Sequence, residues 1–99
     1  MIYNTTFVVD ESVHAPWMQW LRNHYINEVV ENTPLENPAL FKVLSNKVEG
    51  ESYSLQFTAP SINEMKIWEK NYKEKMEQTI RDNFGEKVLF FSTYLKQLF

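Results

Sequence analysis

The sequence has 99 residues, of which 43 % are hydrophobic and 15 % aromatic, and its formal net charge is −3. This length predicts one domain spanning residues 1–99, and the aromatic content is not typical of a disordered chain. Because cysteine is absent, disulfides, thiol nucleophiles and thiolate metal sites are excluded. Ten Lys and Arg residues against thirteen Asp and Glu provide no broad basic field that would attract nucleic acid.

Targeting and membrane segments are not expected in this chain. Met1 leads directly into a strand-like segment, without the basic and apolar stretches of a signal peptide. Apolar runs stay well short of the roughly 20 residues that a membrane-spanning helix needs. We therefore expect a cytoplasmic protein that makes no contact with a membrane.

The first half of the chain predicts a strand, a helix and a second strand. Residues 1–9 are rich in β-branched and aromatic side chains and carry no charge, which is typical of a strand. Asp10 or Ser12 can cap the helix that follows, which we place at residues 13–31. Its apolar side is formed by residues at helical spacing, namely Val13, Trp17, Met18, Trp20, Leu21, His24 and Tyr25. Residues 39–48 predict the second strand.

The second half predicts a hairpin, a long helix and a final strand. Glu49, Gly50 and Glu51 suit a tight turn into a third strand at residues 52–59, since glycine adopts positive φ readily. The second helix begins at Ser61 and Glu64, which form a capping-box pattern, and it ends at Gly85. Its apolar side contains Met65, Trp68, Tyr72, Met76, Ile80 and Phe84. Residues 88–98 predict the fourth strand.

The element order β-α-β-β-α-β predicts an α+β, ferredoxin-like fold. Right-handed connections place both helices on one face of a four-stranded antiparallel sheet, with strands 1 and 3 in the middle. The other face of such a sheet meets water in a single molecule, so its strands are expected to alternate apolar and polar residues.

The predicted strands carry too little charge for a sheet with one wet face. Residues 1–9, 53–59 and 88–95 contain no charged side chain. In the fourth strand, at the sheet edge, apolar residues point to both faces: Val88, Phe90 and Tyr94 to one, Leu89, Phe91 and Leu95 to the other. Each large apolar side chain left in water forgoes roughly 1.5–3 kcal/mol of burial. We therefore predict a homodimer that pairs through the sheet face; the alternative is a loop or C-terminal segment that covers this face within one chain.

Four pieces of the sequence resemble a family of bacterial proteins that is known as a domain of unknown function. They are MIYNTTFVVDESVH at residues 1–14, WMQWL at 17–21, YSLQF at 53–57 and FGEKVLFFSTYL at 84–95. The resemblance implies a fold of the dimeric α/β-barrel group and a dimer, but it implies no activity. The chain departs from the family pattern at Tyr25-Ile26-Asn27, where His-Ile-Pro is expected, and at Asn32-Thr33, where Thr-Gly is usual. Tyr25 cannot act as a base in place of that histidine.

Five residues form the candidate ligand pocket, in the expected cleft between helices and sheet: Asn4, Trp20, His24, Trp68 and Tyr72. Asn4 and Trp68 resemble an Asn–Trp pair in some barrel relatives that oxygenate their substrates. The haem-degrading relatives also have an iron-binding histidine on the second helix, and this chain has none between Ser61 and Gly85. We therefore expect no cofactor.

Each of these residues also has a structural interpretation. A buried Asn4 amide can bond to a neighbouring strand or to water, and tryptophans at helical spacing usually pack in a core. His24 and Glu28 lie four residues apart, but two ligands do not make a metal site, so we expect no metal and either a surface pair or a partly buried histidine with a hydrogen-bond partner. No Ser-His-Asp arrangement is visible, and we assign no catalytic residue.

An RNA-recognition domain shares this element order and stacks bases on strands 1 and 3. Tyr3, Tyr53 and Phe57 could form such a platform. Glu49 and Glu51 lie where basic residues are expected, and the signature motif is absent. The sequence therefore favours a non-catalytic dimeric protein, either a small-molecule binder or a structural partner, that does not bind nucleic acid. The alternative is a cofactor-independent oxygenase that uses the cleft near Asn4, Trp68 and Tyr72.

Overall fold

The computed structural model describes residues 1–44 and 51–99, where strands and helices follow the order β-α-β-β-α-β. The strands are β1 Ile2–Val9, β2 Glu36–Lys42, β3 Glu51–Thr58 and β4 Val88–Leu95. The first helical segment consists of a 3-10 turn Glu11–Val13, α1 His14–Trp20, a π-helical turn Leu21–Tyr25 and α2 Ile26–Asn32. The second consists of α3 Ile62–Asn71, α4 Lys73–Phe84 and a 3-10 turn Gly85–Lys87.

The four strands form one antiparallel sheet in the order β2-β3-β1-β4. The central positions of β1 and β3, and the edge position of β4, are those predicted from the element order. Both helical segments cover the same face, because Trp17 of α1 contacts Phe7 and Trp68 of α3 contacts Tyr3, with ring centroids 5.2 and 5.0 Å apart. The predicted ferredoxin-like α+β fold is confirmed.

Side chains of β1 alternate strictly between the two faces of the sheet. Tyr3, Thr5, Phe7 and Val9 are buried beneath the helices. The core that they share with both helical segments and the neighbouring strands includes Trp17, Leu21, Tyr25, Val29, Leu55, Phe57, Met65, Trp68, Met76 and Ile80.

The opposite side of the sheet, which we call the open face, corrects one sequence expectation. Its central positions on β1 and β3 are polar but uncharged: Asn4, Thr6, Ser54 and Gln56. These strands therefore do alternate mostly apolar residues on the helix side with polar residues at the centre of the open face, although they carry almost no charge. Exposed apolar side chains remain along β4, as predicted, with Leu89 and Phe91 each 60 % exposed and Leu95 41 % exposed.

Segment ends also differ from the sequence-based boundaries. Strand β2 begins at Glu36 rather than at residue 39, because Asn37 takes a positive φ of 53° and the pairing with β3 shifts register between Glu36 and Ala39. The predicted end of this strand at residue 48, and most of the turn at residues 49–51, lie outside the described residues. The predicted caps are present, since Ser61 accepts a bond from the Glu64 amide at 3.2 Å and Gly85 has a φ of 55°.

Candidate functional site

The π-helical turn decides which side chains of the first helical segment reach the core. Buried residues follow at steps of four: Trp17, Leu21, Tyr25 and Val29. In a regular α-helix each step of four turns about 40° too far, and the wider π turn compensates for part of this drift. Tyr25 is therefore buried, whereas His24, which the helical pattern placed on the apolar side, is exposed.

A surface groove about 470 Å³ in volume lies between the first helical segment and α4. We call it the inter-helix groove. One wall is formed by the π turn and α2, the other by α4. Its lining residues are Trp20, Asn23, His24, Tyr25, Asn27, Glu28, Glu31, Lys75, Met76, Thr79 and Asn83.

The aromatic end of the inter-helix groove is built by packing against the core. The Trp20 ring lies 5.3 Å from the Tyr25 ring and 5.3 Å, edge-on, from the Phe84 ring. Trp20 is only partly buried, while Tyr25 and Met76 are buried. An apolar group of a ligand would find contact surface at this end without any rearrangement of the core.

Polar groups of the inter-helix groove fall into two sets. The Asn27 amide, the Thr79 hydroxyl and the Asn83 amide already donate to backbone carbonyls of their own helices, at 2.9, 2.6 and 2.7 Å. His24, Glu28, Glu31 and Lys75 are exposed. In the part of the chain that the structure describes, none of these four belongs to an ion pair. A ligand in the groove can bind them without breaking an ion pair among the described residues.

A second polar cluster lies beneath α4, between helix and sheet. The Tyr3 hydroxyl donates to Ser92 Oγ at 2.9 Å and lies 3.5 Å from Glu77 Oε2, and Ser92 Oγ lies 3.0 Å from Thr5 Oγ1. Burial raises the pKa of Tyr3, against the hydrogen bond with Ser92. Burial also raises the pKa of Tyr25, with further contributions from Tyr3 and Glu77. We call Tyr3, Tyr25, Glu77 and Ser92 the tyrosine–glutamate cluster.

The predicted pocket residues do not meet in one cleft. Trp20 and His24 line the inter-helix groove. Trp68 is 0 % exposed, sealed in the core, and Tyr72 is half-buried where α3 gives way to α4. Asn4 lies on the open face, on the other side of the sheet from Trp68, because even-numbered residues of β1 point away from the helices.

Asn4 instead connects three strands on the open face. Its Oδ1 accepts from Ser54 Oγ of β3 at 2.5 Å, and its Nδ2 lies 3.4 Å from Thr6 Oγ1 and 3.5 Å from Thr93 Oγ1 of β4. Asn4 thus bonds to the neighbouring strands, as expected from its structural interpretation in the sequence.

The aromatic residues of the RNA alternative point away from the open face. Tyr3, Tyr53 and Phe57 are at most 6 % exposed and lie beneath the helices. They cannot stack bases on the open face. His14 stacks on Tyr53, with its Nε2 2.5 Å from the Tyr53 hydroxyl.

Sequence reasoning missed the α4 wall of the inter-helix groove. Lys75, Thr79 and Asn83 belong to the polar side of α4, whose pattern is typical of a solvated surface. The sequence also contained no sign that Glu77 contacts the core, because Glu77 lies in a helix segment where Lys and Glu residues alternate. The packing of α4 places Lys75, Thr79 and Asn83 along the groove and Glu77 beside Tyr3 of β1, and the sequence pattern of one helix carries no signal of that packing.

Within residues 1–44 and 51–99, no group of three or more His, Asp or Glu side chains could hold a metal ion. His24 and Glu28 both line the inter-helix groove without pairing with each other. No helix in this part of the chain is long and apolar enough to cross a membrane.

Comparison with known proteins agrees with the resemblance seen in the sequence. The family model of DUF4286, a domain of unknown function, matches residues 1–98. The chain belongs to this family. No curated protein matches the DUF4286 chain.

Solved structures similar to this DUF4286 chain include two monooxygenase candidates. A candidate antibiotic biosynthesis monooxygenase from Deinococcus radiodurans aligns with a TM-score of 0.61 at 8 % identity, over 100 % of this chain and 96 % of that chain. Another, from Bacillus cereus, aligns with a TM-score of 0.56 at 17 % identity, over 97 % of this chain and 92 % of that chain. Likeness at such low identity shows the fold alone.

Proposed function

We propose that this DUF4286 chain is a homodimeric small-molecule-binding protein without catalytic activity, and that its ligand occupies the inter-helix groove. The main support for this proposal is the lining of the groove, which includes an indole, an imidazole, two carboxylates and an ammonium group. They belong to Trp20, His24, Glu28, Glu31 and Lys75. Its volume of about 470 Å³ falls within the roughly 300–1,000 Å³ of typical ligand pockets. The four charged or titratable groups have no ion-pair partners among the described residues, so a ligand would not have to break existing pairs.

Burial of the core supports the inter-helix groove over the cleft that the sequence suggested. Trp17, Trp68 and Phe57 fill the space between helices and sheet and are at most 2 % exposed. Opening this layer for a ligand would separate large aromatic side chains, each of which contributes several kcal/mol to stability, on the order of 3–5 kcal/mol for Phe or Trp truncated to Ala. The inter-helix groove is open without such a loss.

Fragment binding measured by NMR tests this proposal. Amide shifts that move on titration should cluster in residues 20–31 and 75–83, the two walls of the inter-helix groove. His24→Ala should weaken the affinity of the bound fragments several-fold, whereas Arg22→Ala should not, because Arg22 lies on the same π turn but outside the groove. If no fragment binds at millimolar concentration, or the shifts map elsewhere, the proposal is wrong.

The dimer in this proposal is formed through the open face. Its support is the row of exposed apolar residues on β4 beside a polar strip in which Ser54 donates to Asn4 and the Asn4 amide lies within 3.5 Å of Thr6 and Thr93. A cytoplasmic location stays a prediction, which fractionation of the native cells would test.

A cofactor-independent oxygenase is the second candidate function. Glu77 of the tyrosine–glutamate cluster favours it, since this carboxylate is only partly buried and can accept the proton of a phenolic substrate. The phenolate reacts with O₂, and the proton held by Glu77 returns to the leaving oxygen, so that one phenol and one O₂ give one quinone and one water without a cofactor. The names of the two monooxygenase candidates from Deinococcus radiodurans and Bacillus cereus agree with this chemistry.

Oxygen uptake with a panel of aromatic and quinol compounds separates the two candidates. Turnover by the unmodified protein that is lost in Glu77→Gln, but kept in Glu74→Gln on the same helix, would overturn the non-catalytic proposal. Trp68→Ala is not a suitable variant for this purpose, because removing a fully buried tryptophan costs about 3–5 kcal/mol of stability. The absence of uptake with every compound is the expected result.

A further inference from the structure

The two walls of the inter-helix groove carry opposite charges. Glu28 and Glu31 lie one turn apart on α2, and Lys75 lies on α4 across the groove. Among the described residues, Lys75 makes no ion pair with either carboxylate within 4 Å. The groove therefore has an acidic wall and a basic wall, and the described residues form no ion pair across it.

Three hydrogen-bond donors of the inter-helix groove are committed to their own helical segments. Asn27, Thr79 and Asn83 donate to backbone carbonyls of their own helices. An anionic end of a ligand can bind Lys75, the ammonium group of the lining, and His24 and the Asn23 amide lie on the other wall as further donors. A cationic end has Glu28 and Glu31 on the other wall.

We infer that the ligand of the inter-helix groove is a small zwitterion of the α-amino acid class. Its ammonium group would bind Glu28 and Glu31, its carboxylate would bind Lys75, and an apolar side group would pack on Trp20 and Met76. A ligand with one charge satisfies one wall and leaves the other wall's charge without a partner. The inference rests on the proposed binding function, because it names the chemical class that the same groove takes.

Three compounds that share a phenylethyl unit provide the test. L-phenylalanine carries both charges, phenethylamine lacks the carboxylate, and 3-phenylpropanoate lacks the ammonium group. Hydrogen bonds to charged groups change affinity by about ten- to a hundredfold. In NMR titrations at pH 7, L-phenylalanine should therefore bind at least about tenfold more tightly than either of the other two compounds.

Charge-removing variants assign each end of the ligand to a wall. Lys75→Met should lower the affinity for L-phenylalanine to that for phenethylamine. The double variant Glu28→Gln and Glu31→Gln should lower it to that for 3-phenylpropanoate. Glu74→Gln and Lys66→Met serve as controls and should leave the affinity unchanged, since both residues are exposed on the second helical segment outside the groove.

The outcomes of these titrations separate this inference from the function on which it rests. Equal affinity for the three compounds, or no effect of the charge-removing variants, overturns the zwitterion inference while binding in the groove stands. The same holds if fragments bind in the groove but none of the three compounds does at millimolar concentration. If nothing binds in the groove at all, the proposed function itself fails.

Discussion

The Tyr25 side chain is 3 % exposed and lies in a cluster with Tyr3 and Glu77. Burial, and then these two neighbours, raise its pKa above the ordinary tyrosine value near 10. The unfolded chain therefore releases the Tyr25 proton at a lower pH than the folded chain does. Since the folded state then binds more protons, stability falls as the pH rises above about 10.

We predict that Tyr25→Phe flattens this alkaline loss of stability. One tyrosine that ionises only in the unfolded state contributes up to about 1.4 kcal/mol per pH unit, and the variant removes that share. Urea unfolding at pH 8, 9, 10 and 11 measures the slope, so a changed stability at pH 8 does not affect the comparison. An unchanged slope between pH 10 and 11 would show that Tyr25 does not resist ionisation.

For single residues, the sequence predicts the element that contains the residue better than the surroundings of its side chain. Trp20 and Trp68 sit at similar apolar positions of their helices, yet one is partly buried at a groove and the other is sealed. Asn4 was correctly placed on β1, but its face depends on register, which a short uncharged strand does not specify by charge. For Trp20, Trp68 and Asn4, the sequence predicted the strand or helix that contains the residue. Whether the side chain lies in the core, at the groove or on the open face depends on its neighbours in the folded structure.

At the scale of elements, the first helical segment contains the least regular geometry. Its four buried residues at steps of four require the π turn at Leu21–Tyr25. Deleting Asn23 changes the steps to four, three and four, the pattern that a regular α-helix keeps on one side. We predict that this deletion is tolerated, with a loss of about 1–2 kcal/mol and with cooperative unfolding retained.

An alanine inserted after Asn23 is the matched control. It lengthens one step to five residues, which neither an α-helix nor a π turn keeps on one side, so Tyr25 and Val29 can no longer both reach the core. Circular dichroism and thermal melting should show a cooperative transition for the deletion and a broad or absent one for the insertion. Equal melting of the two variants would mean that the π turn does not set which side chains are buried.

The elements were easier to predict than the spaces between them. Strands β1 and β3 and the caps at Ser61 and Gly85 have local signals, and each was found in the sequence. Strand β2 begins at Glu36, before the positive-φ Asn37, and its pairing with β3 shifts register between Glu36 and Ala39, a shift that the sequence pattern does not show. The inter-helix groove joins residues 20–31 to residues 75–83, and no local pattern specifies such a distant contact.

The whole molecule presents a sheet face that one chain leaves partly apolar. Leu89, Phe91 and Leu95 lie along one edge of the open face, and Phe41 on β2 is 51 % exposed on the same face. Between them, Asn4 contacts Ser54, Thr6 and Thr93 through hydrogen bonds within the chain. A second copy that covers the face would bury these four side chains with partners already in place, which lowers the desolvation cost of pairing.

We therefore predict that Phe91→Lys or Leu89→Lys shifts the protein from dimers to single chains at micromolar concentration, raising the dissociation constant at least about tenfold. A lysine on each copy places charge in an apolar contact and loses the burial of a large side chain. Ile62→Lys and Ile67→Lys are matched controls, since both residues are exposed apolar positions of α3, away from the open face.

Analytical ultracentrifugation gives the masses, and circular dichroism shows whether each variant stays folded. If the unmodified protein sediments only as single chains, the open face does not pair. If the α3 variants dissociate the dimer instead, the pairing surface lies on the helical side. In that case a partner would cover part of the helices, and the inter-helix groove would have to be tested as an interface rather than as a free binding site.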